Sequence, residues 1–239
     1  YLDSSGNIGP LGTVTDPITH PIDPIAAVPT YNKNDAGDPV GIDGTARFIL
    51  DLDTNGTNYP SNALTLIDNL PPELQVTEVT SGRWSSAFDH VQAFVEYSTN
   101  NGSSYTAFGA AVDYNSNITF TAPAANITNV RWRFQYDPDG IAPFTYVPGL
   151  SYTWSFTTSP EIRVTPRAAA TTADAPSGLP MPVAVEGATY NNCLQVSRID
   201  NTGAVLDACN NETMTVQGNY VSLRTYKSET NGASWDGLD

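Results

Sequence analysis

The residues of this chain that could do chemistry are few. The run Asp51-Leu-Asp53-Thr-Asn55-Gly56 places three oxygen-bearing side chains at alternate positions and follows them with a glycine that permits a sharp turn. That is how a calcium-binding loop opens. The twelfth position of such a loop is Asn62 rather than a bidentate glutamate, and Pro60 intrudes, so an Asn-Gly turn between strands is the competing reading. Asp137-Pro-Asp139-Gly140 repeats the pattern more weakly, with a turn favoured. The two histidines are His20 and His90. His90 follows Asp89, but no G-x-S-x-G elbow accompanies it, which leaves surface histidines as the plainer interpretation. The acids fall mostly in turns, where paired carboxylates for glycoside hydrolysis would need a cleft. Glu96 is the least turn-like of them, and reads as a lone outward glutamate. No catalytic residues are expected. The only lysines are Lys33 and Lys227. Either could close an intramolecular isopeptide bond on an asparagine, a reaction that needs the amine buried beside an acid.

Cys193 and Cys209 bracket CLQVSRIDNTGAVLDAC, which reads as strand, Asn201-Thr202-Gly203 turn, strand. A disulfide across that hairpin is expected, worth about 3 kcal/mol by loop closure. Two reduced buried thiols are the alternative, and no histidine or further cysteine lies near enough in sequence to complete a metal site. Five Asn-x-Ser/Thr triplets, at Asn55, Asn101, Asn117, Asn126 and Asn211, are candidate glycosylation acceptors in a chain rich enough in Asn and Thr to hold several by chance.

These residues sit in a sequence whose pattern is that of strands. Ala46, Phe48, Leu50 and Leu52 alternate with Arg47, Ile49 and Asp51, the period of a half-buried strand. A turn dense in Asn, Gly and Pro follows. A second strand, Leu64 to Ile67, ends in Asp68-Asn69-Leu70-Pro71-Pro72, because neither proline has an N–H for a sheet ladder. Further alternating runs cover 75–80, 91–97, 129–136 and 150–157, with Val130, Trp132, Phe134 and Tyr136 on one face of the cleanest. The run Ser98-Thr-Asn-Asn-Gly-Ser-Ser-Tyr105 resembles an Asp-box hairpin with Asn100 at the aspartate position, and Ser228–Trp235 has the same spacing. Both read as structural turns, because a propeller would need several copies at a fixed period. Strands every ten to fifteen residues without helical periodicity predict an all-β protein, an antiparallel sandwich. Trp132, Trp154, Phe48 and Leu70 are expected in its core.

The run ARFILDLDTNGT followed by LTLIDNLPPEL resembles the repeat module of bacterial and archaeal surface proteins known as the DUF11 or conserved-repeat domain. The likeness is carried chiefly by Asp68, Leu70, Pro71 and Leu74. Asn210-Asn211-Glu212-Thr213 and Lys227-Ser228 resemble the junction between two such modules. The resemblance implies an Ig-like sandwich and an extracellular structural role, with no catalytic residues to carry over. The expected organisation is a proline-rich arm over 1–30, an Ig-like sandwich over 31–160, a linker with the disulfide hairpin over 161–223, and the first strand of a following repeat over 224–239. Ile18, Ile22 and Ile25 would let the arm dock on a neighbouring subunit. Tyr1 is not a methionine and no leader-like segment follows it, so a mature or trimmed product is expected.

Composition narrows the role further. The 239 residues carry a formal charge of −15, which repels the phosphates of nucleic acid and of anionic membranes alike. No apolar run reaches the length of a membrane span. A chain this long buries roughly 70% of its unfolded surface. The expected role is therefore an extracellular, cell-surface structural protein, a subunit of a surface layer, sheath or filament that forms a homo-oligomer through β-edges or the N-terminal arm. The competing role is an adhesin or carbohydrate-binding module, with Trp84, Tyr146 or Trp235 stacking on sugars. No cofactor is expected beyond the possible calcium.

Overall fold

The computed structural model describes residues 29–35, 40–54, 64–84, 91–113, 116–136, 157–168, 181–200 and 203–218. Among them there is no helix, and the strands form two sheets packed face to face as an Ig-like β-sandwich. The first sheet is ordered β1 (Thr30–Asp35), β3 (Ala46–Asp53), β12 (Glu161–Pro166), β5 (Leu74–Thr80), β9 (Thr119–Thr121), with β11 (Thr157–Thr158) also on β3. The second runs β2 (Val40–Gly41), β15 (Asn210–Gln217), β13 (Thr189–Asp200), β4 (Leu64–Asn69), β10 (Asn129–Tyr136), β6 (Val91–Ser98), β7 (Thr106–Ala107). There β14 (Gly203–Leu206) also pairs with β13 and β8 (Val112–Asp113) with β6. All described pairings are antiparallel except the short one between β2 and β15.

Alternation along each strand decides which face is buried. Ala46, Phe48, Leu50 and Leu52 point inward from β3, and Leu64 and Leu66 from β4. Val130, Trp132 and Phe134 do so from β10, and Ile162 and Val164 from β12. One continuous core joins these to Leu194 and Val196 of β13 and to Met214 and Val216 of β15. Trp132 is fully buried and its indole N–H donates to the carbonyl of Thr80 at 2.8 Å, so its polar atom is satisfied inside the core.

The double-proline corner is held from outside its own strand. Pro71 accepts a turn hydrogen bond from the Leu74 amide at 3.0 Å. The buried Arg167 guanidinium donates to the carbonyls of Pro72 (3.1 Å) and Leu74 (3.3 Å) and to Asn126 Oδ1 (2.8 Å). Backbone acceptors left over by the missing proline N–H pairing are thereby satisfied. The Ser98–Tyr105 turn also forms as expected. Asn100 Oδ1 accepts from the Ser104 amide at 2.9 Å and Ser98 Oγ from the Gly102 amide at 2.9 Å, with Asn101 and Gly102 at φ of 55° and 78°.

Three expectations are corrected. The described parts of 161–223 belong to the sandwich itself, while the linker-like stretch over 169–178 lies outside the described residues. Strand β12 lies at the centre of the first sheet between β3 and β5, and β13 lies between β4 and β15 in the second. The half-buried pattern of IRV and LQV thus belongs to the same core as β3. Trp84 is not an exposed platform: it is 6% accessible and packs edge-on to Phe134 at 6.0 Å. Glu96 is not alone, since it pairs with Arg131 at 2.6 Å and Arg133 at 3.4 Å on the outer face of the second sheet. All but Thr157 of the strand expected over 150–157, Trp154, Tyr146, Trp235, Lys227, both histidines, the second calcium-loop candidate, nearly all of the arm over 1–30 and the segment 224–239 lie outside the described residues.

Because Trp132 touches both sheets' interior and also closes the hydrogen bond to Thr80, Trp132→Ala is expected to cost about 3–5 kcal/mol. Denaturant unfolding of the disulfide-intact protein measures it.

Candidate functional site: an amine, a carboxyl and an amide sealed between the sheets

Three polar residues occupy positions where the strand pattern calls for apolar ones. Lys33 is the inward residue of β1. Asp68 continues the inward series Leu64, Leu66 on β4. Asn192 continues the inward series Val196, Leu194 on β13. Their accessibilities are 1%, 0% and 0%. The register of the sheets brings them together. Leu194 pairs directly with Asp68 across the β13–β4 ladder, so Asn192, two residues further along, is its diagonal neighbour on the same face. Lys33 reaches them from the opposite sheet.

Asp68 is the hub. Its Oδ1 accepts from the Lys33 ammonium in a buried ion pair. Its Oδ2 accepts from Asn192 Nδ2 at 3.3 Å. One carboxyl group therefore holds the amine on one oxygen and the amide on the other. Asn192 Oδ1 is buried with no hydrogen-bond partner. The Lys33 ammonium also lies 4.6 Å from the centre of the Phe48 ring, a cation–π contact beneath the amine.

Strand β1 is fixed over this cluster by bonds at the other sheet. The Tyr31 hydroxyl donates to the Ala208 carbonyl. Asn210 Oδ1 accepts from the Lys33 amide at 3.2 Å, and Asn210 Nδ2 donates to the Tyr31 carbonyl at 3.5 Å. The Cys193–Cys209 disulfide stands beside these contacts, joining β13 to the residue before β15, with Cα atoms 5.4 Å apart. The expected cross-link across the hairpin is thus present.

Burial pushes the Lys33 ammonium below its ordinary pKa; the Asp68 charge, the hydrogen bond to it and the more distant Glu212 oppose that shift. Desolvation has the larger effect, so the amine sits closer to its neutral, nucleophilic form than a surface lysine does. Such a triad is an expensive way to fill a core. Removing one partner of a buried ion pair strands the other, and replacing both by apolar groups is often neutral or stabilising. The cluster is therefore better explained by what it can do than by stability.

The other sequence-derived candidates fall elsewhere. Asp51 and Asp53 lie two apart on β3, while Asn55 lies outside the described residues. Asp51 is already engaged, accepting from Asn34 Nδ2 at 2.8 Å and Ser159 Oγ at 2.6 Å. Among the described residues no group of three His, Cys, Asp or Glu side chains is arranged to hold a metal ion. Of the glycosylation candidates, Asn101, Asn117 and Asn211 are exposed. Asn126 is 4% accessible and bound to Arg167, so the folded chain offers it no room for a sugar. Asn55 is not described. Sequence reasoning raised Lys33 but missed Asn192 as its neighbour, and read Asp68 only as part of the strand-ending motif. The available signal was an inward-phase polar residue in each of three strands.

No family model matches the chain, and no curated protein does. Solved structures give distant likenesses. The collagen-binding subdomain ACE19 of the Enterococcus faecalis surface protein ACE is 11% identical, with 80% of this chain and 98% of that one covered at a TM-score of 0.33. The major pilin subunit BcpA of Bacillus cereus is 11% identical over 80% of this chain and 40% of its own, at 0.37. The group B streptococcus pilus 2b backbone protein is 12% identical over 78% and 56%, at 0.38. Likenesses of this size carry no argument about the chain, and its sandwich architecture rests on the two sheets themselves.

Lys33→Met is expected to lower stability by about 3–5 kcal/mol, because Asp68 is left buried without its counter-charge. The double variant Lys33→Met/Asp68→Leu should unfold at a higher denaturant concentration than the single one.

Proposed function

We propose that the chain is an extracellular structural protein, a subunit of a surface layer, sheath or filament built from Ig-like modules. The observation that carries this reading is that the sandwich is joined to itself by a covalent link and by directional polar contacts. A disulfide joins β13 to the start of β15, and a buried polar cluster spans the two sheets at β1, β4 and β13. Disulfides persist in oxidising surroundings outside the cytosol, and among the described residues no helix is long and apolar enough to cross a membrane. The resemblance of 46–74 to the conserved-repeat module supports the same role. So does the acidic surface with two lysines in 239 residues, which favours a soluble outer component over a binder of anionic polymers.

Assembly would proceed by β-augmentation at sheet edges or by docking of the proline-rich arm, giving a homo-oligomer. The adhesin or carbohydrate-binding reading is weaker than the sequence suggests, because Trp84, one of its three aromatic candidates, is buried against Phe134. The chain is not proposed to be an enzyme acting on external substrates.

Electron microscopy of native material, with sedimentation of the purified full chain at high concentration in calcium, tests the proposal. Filaments, sheets or concentration-dependent oligomers are expected. A protein that stays monomeric with its arm intact would refute assembly through this region.

A further inference from the structure

We infer that Lys33 and Asn192 are partners in an intramolecular isopeptide bond, formed with Asp68 as the proton carrier, that ties the first sheet covalently to the second. The three groups are the ones the reaction needs, and they meet at a single carboxyl group: amine on Oδ1, amide on Oδ2. All three are removed from water, which suppresses hydrolysis of the amide in favour of attack by the amine and strengthens each electrostatic contact. They are held on strands rather than loops, so the nucleophile and the carbonyl carbon are brought together at no further entropic cost. Asn192 Oδ1 is buried without a hydrogen-bond partner. Rotating the amide by half a turn exchanges Oδ1 with Nδ2 and presents the carbonyl oxygen to Asp68. A protonated Asp68 then donates to it, which satisfies the orphan atom and polarises the carbonyl for attack.

The atoms balance without an oxidant or co-reactant. The Lys33 ammonium passes one proton to Asp68 along the existing hydrogen bond, leaving a neutral amine. The lone pair of Nζ adds to Cγ of Asn192, and the carbonyl π electrons move to Oδ1. A proton then passes from Nζ to Nδ2. The Cγ–Nδ2 bond breaks, the carbonyl reforms, and ammonia departs. The products are a secondary amide between Nζ and Cγ, an Asp68 carboxyl that keeps the proton taken from the ammonium, and one ammonia molecule, so the event happens once per chain and leaves no unpaired charge between the sheets. Asp68 touches both reacting groups throughout and is the catalytic residue of this single turnover.

The bond would join β1, near the beginning of the described sandwich, to β13, near its end. Tension applied to these strands would then pass through it rather than through the hydrogen bonds of the ladders between them. The cluster has this geometry within a single chain, whether or not the chain assembles into fibres.

Mass spectrometry of the intact, disulfide-reduced full chain tests it directly: the mass should fall about 17 Da, one ammonia, below that of the sequence. Digestion by trypsin should then yield residues 1–47, uncut at Lys33, joined to residues 168–198, since cleavage otherwise follows Lys33, Arg47, Arg167 and Arg198. The loss should vanish in Lys33→Met, Asn192→Ala and Asp68→Asn. If those variants fail to fold, the wild-type peptide map decides alone. A full-mass wild-type protein that is folded would overturn the inference. So would a 17 Da loss that maps to a single peptide at Asn55-Gly56, Asn101-Gly102 or Asn231-Gly232, where succinimide formation gives the same mass change.

Discussion

A charged amine and a carboxylate buried between two apolar sheets impose a constraint that the surrounding structure has to meet. Neither group can be removed from water singly without a large penalty, and even together they rarely gain over a hydrophobic pair. Strands β1 and β4 belong to different sheets, so the Lys33–Asp68 pair requires those sheets to sit at one lateral offset. Register within each sheet supplies the rest: the β13–β4 pairing puts Asn192 on the free oxygen of Asp68, and the β1–β3 pairing puts Phe48 beside the amine. The Tyr31 and Asn210 contacts fix β1 along its length, and the disulfide fixes the adjoining hairpin. The polar cluster thus supplies the directional requirement that a purely apolar interface, which tolerates sliding, does not.

The rest of the sandwich spends its polar groups differently. On the outer face of the second sheet, Glu96 lies between Arg131 and Arg133. Those guanidiniums cover Tyr105 at 3.7 Å and Phe94 at 4.5 Å. Beside them Asn129 donates to Asn69 at 2.6 Å, and Asn69 donates to Gln195 at 2.8 Å, a ladder of amides across three strands. These groups are partly solvated and their contacts contribute modestly. The inner cluster is different in kind, since its members share one carboxyl group and no solvent.

The scaffold and the cluster also bear differently on function. A sandwich of this kind hosts many roles, so architecture by itself says little about activity. The cluster is specific: three residue types, one geometry, and a reaction that uses each of them.

Much of the fold was legible in the sequence because the signal for it is local. Alternation along Ala46–Asp53, Leu64–Asn69 and Asn129–Tyr136 determines which side chains face the core, and Pro71-Pro72 determines where β4 must end. Asn100 and Gly102 specify the turn after β6 from their own backbone preferences. Pairing between distant strands is not local. Nothing in the run 161–166 states that it will sit between β3 and β5, and Trp84 reads as a loop residue until Phe134 arrives beside it. Lys33, Asp68 and Asn192 each break an apolar pattern, which the sequence records, but a broken pattern is equally consistent with an edge, a turn or an error of phase. Only tertiary structure brings an amine, a carboxyl and an amide from three strands remote in sequence within reach of one another, because their proximity depends on the β13–β4 register and on the offset between the two sheets, not on any one segment of the chain.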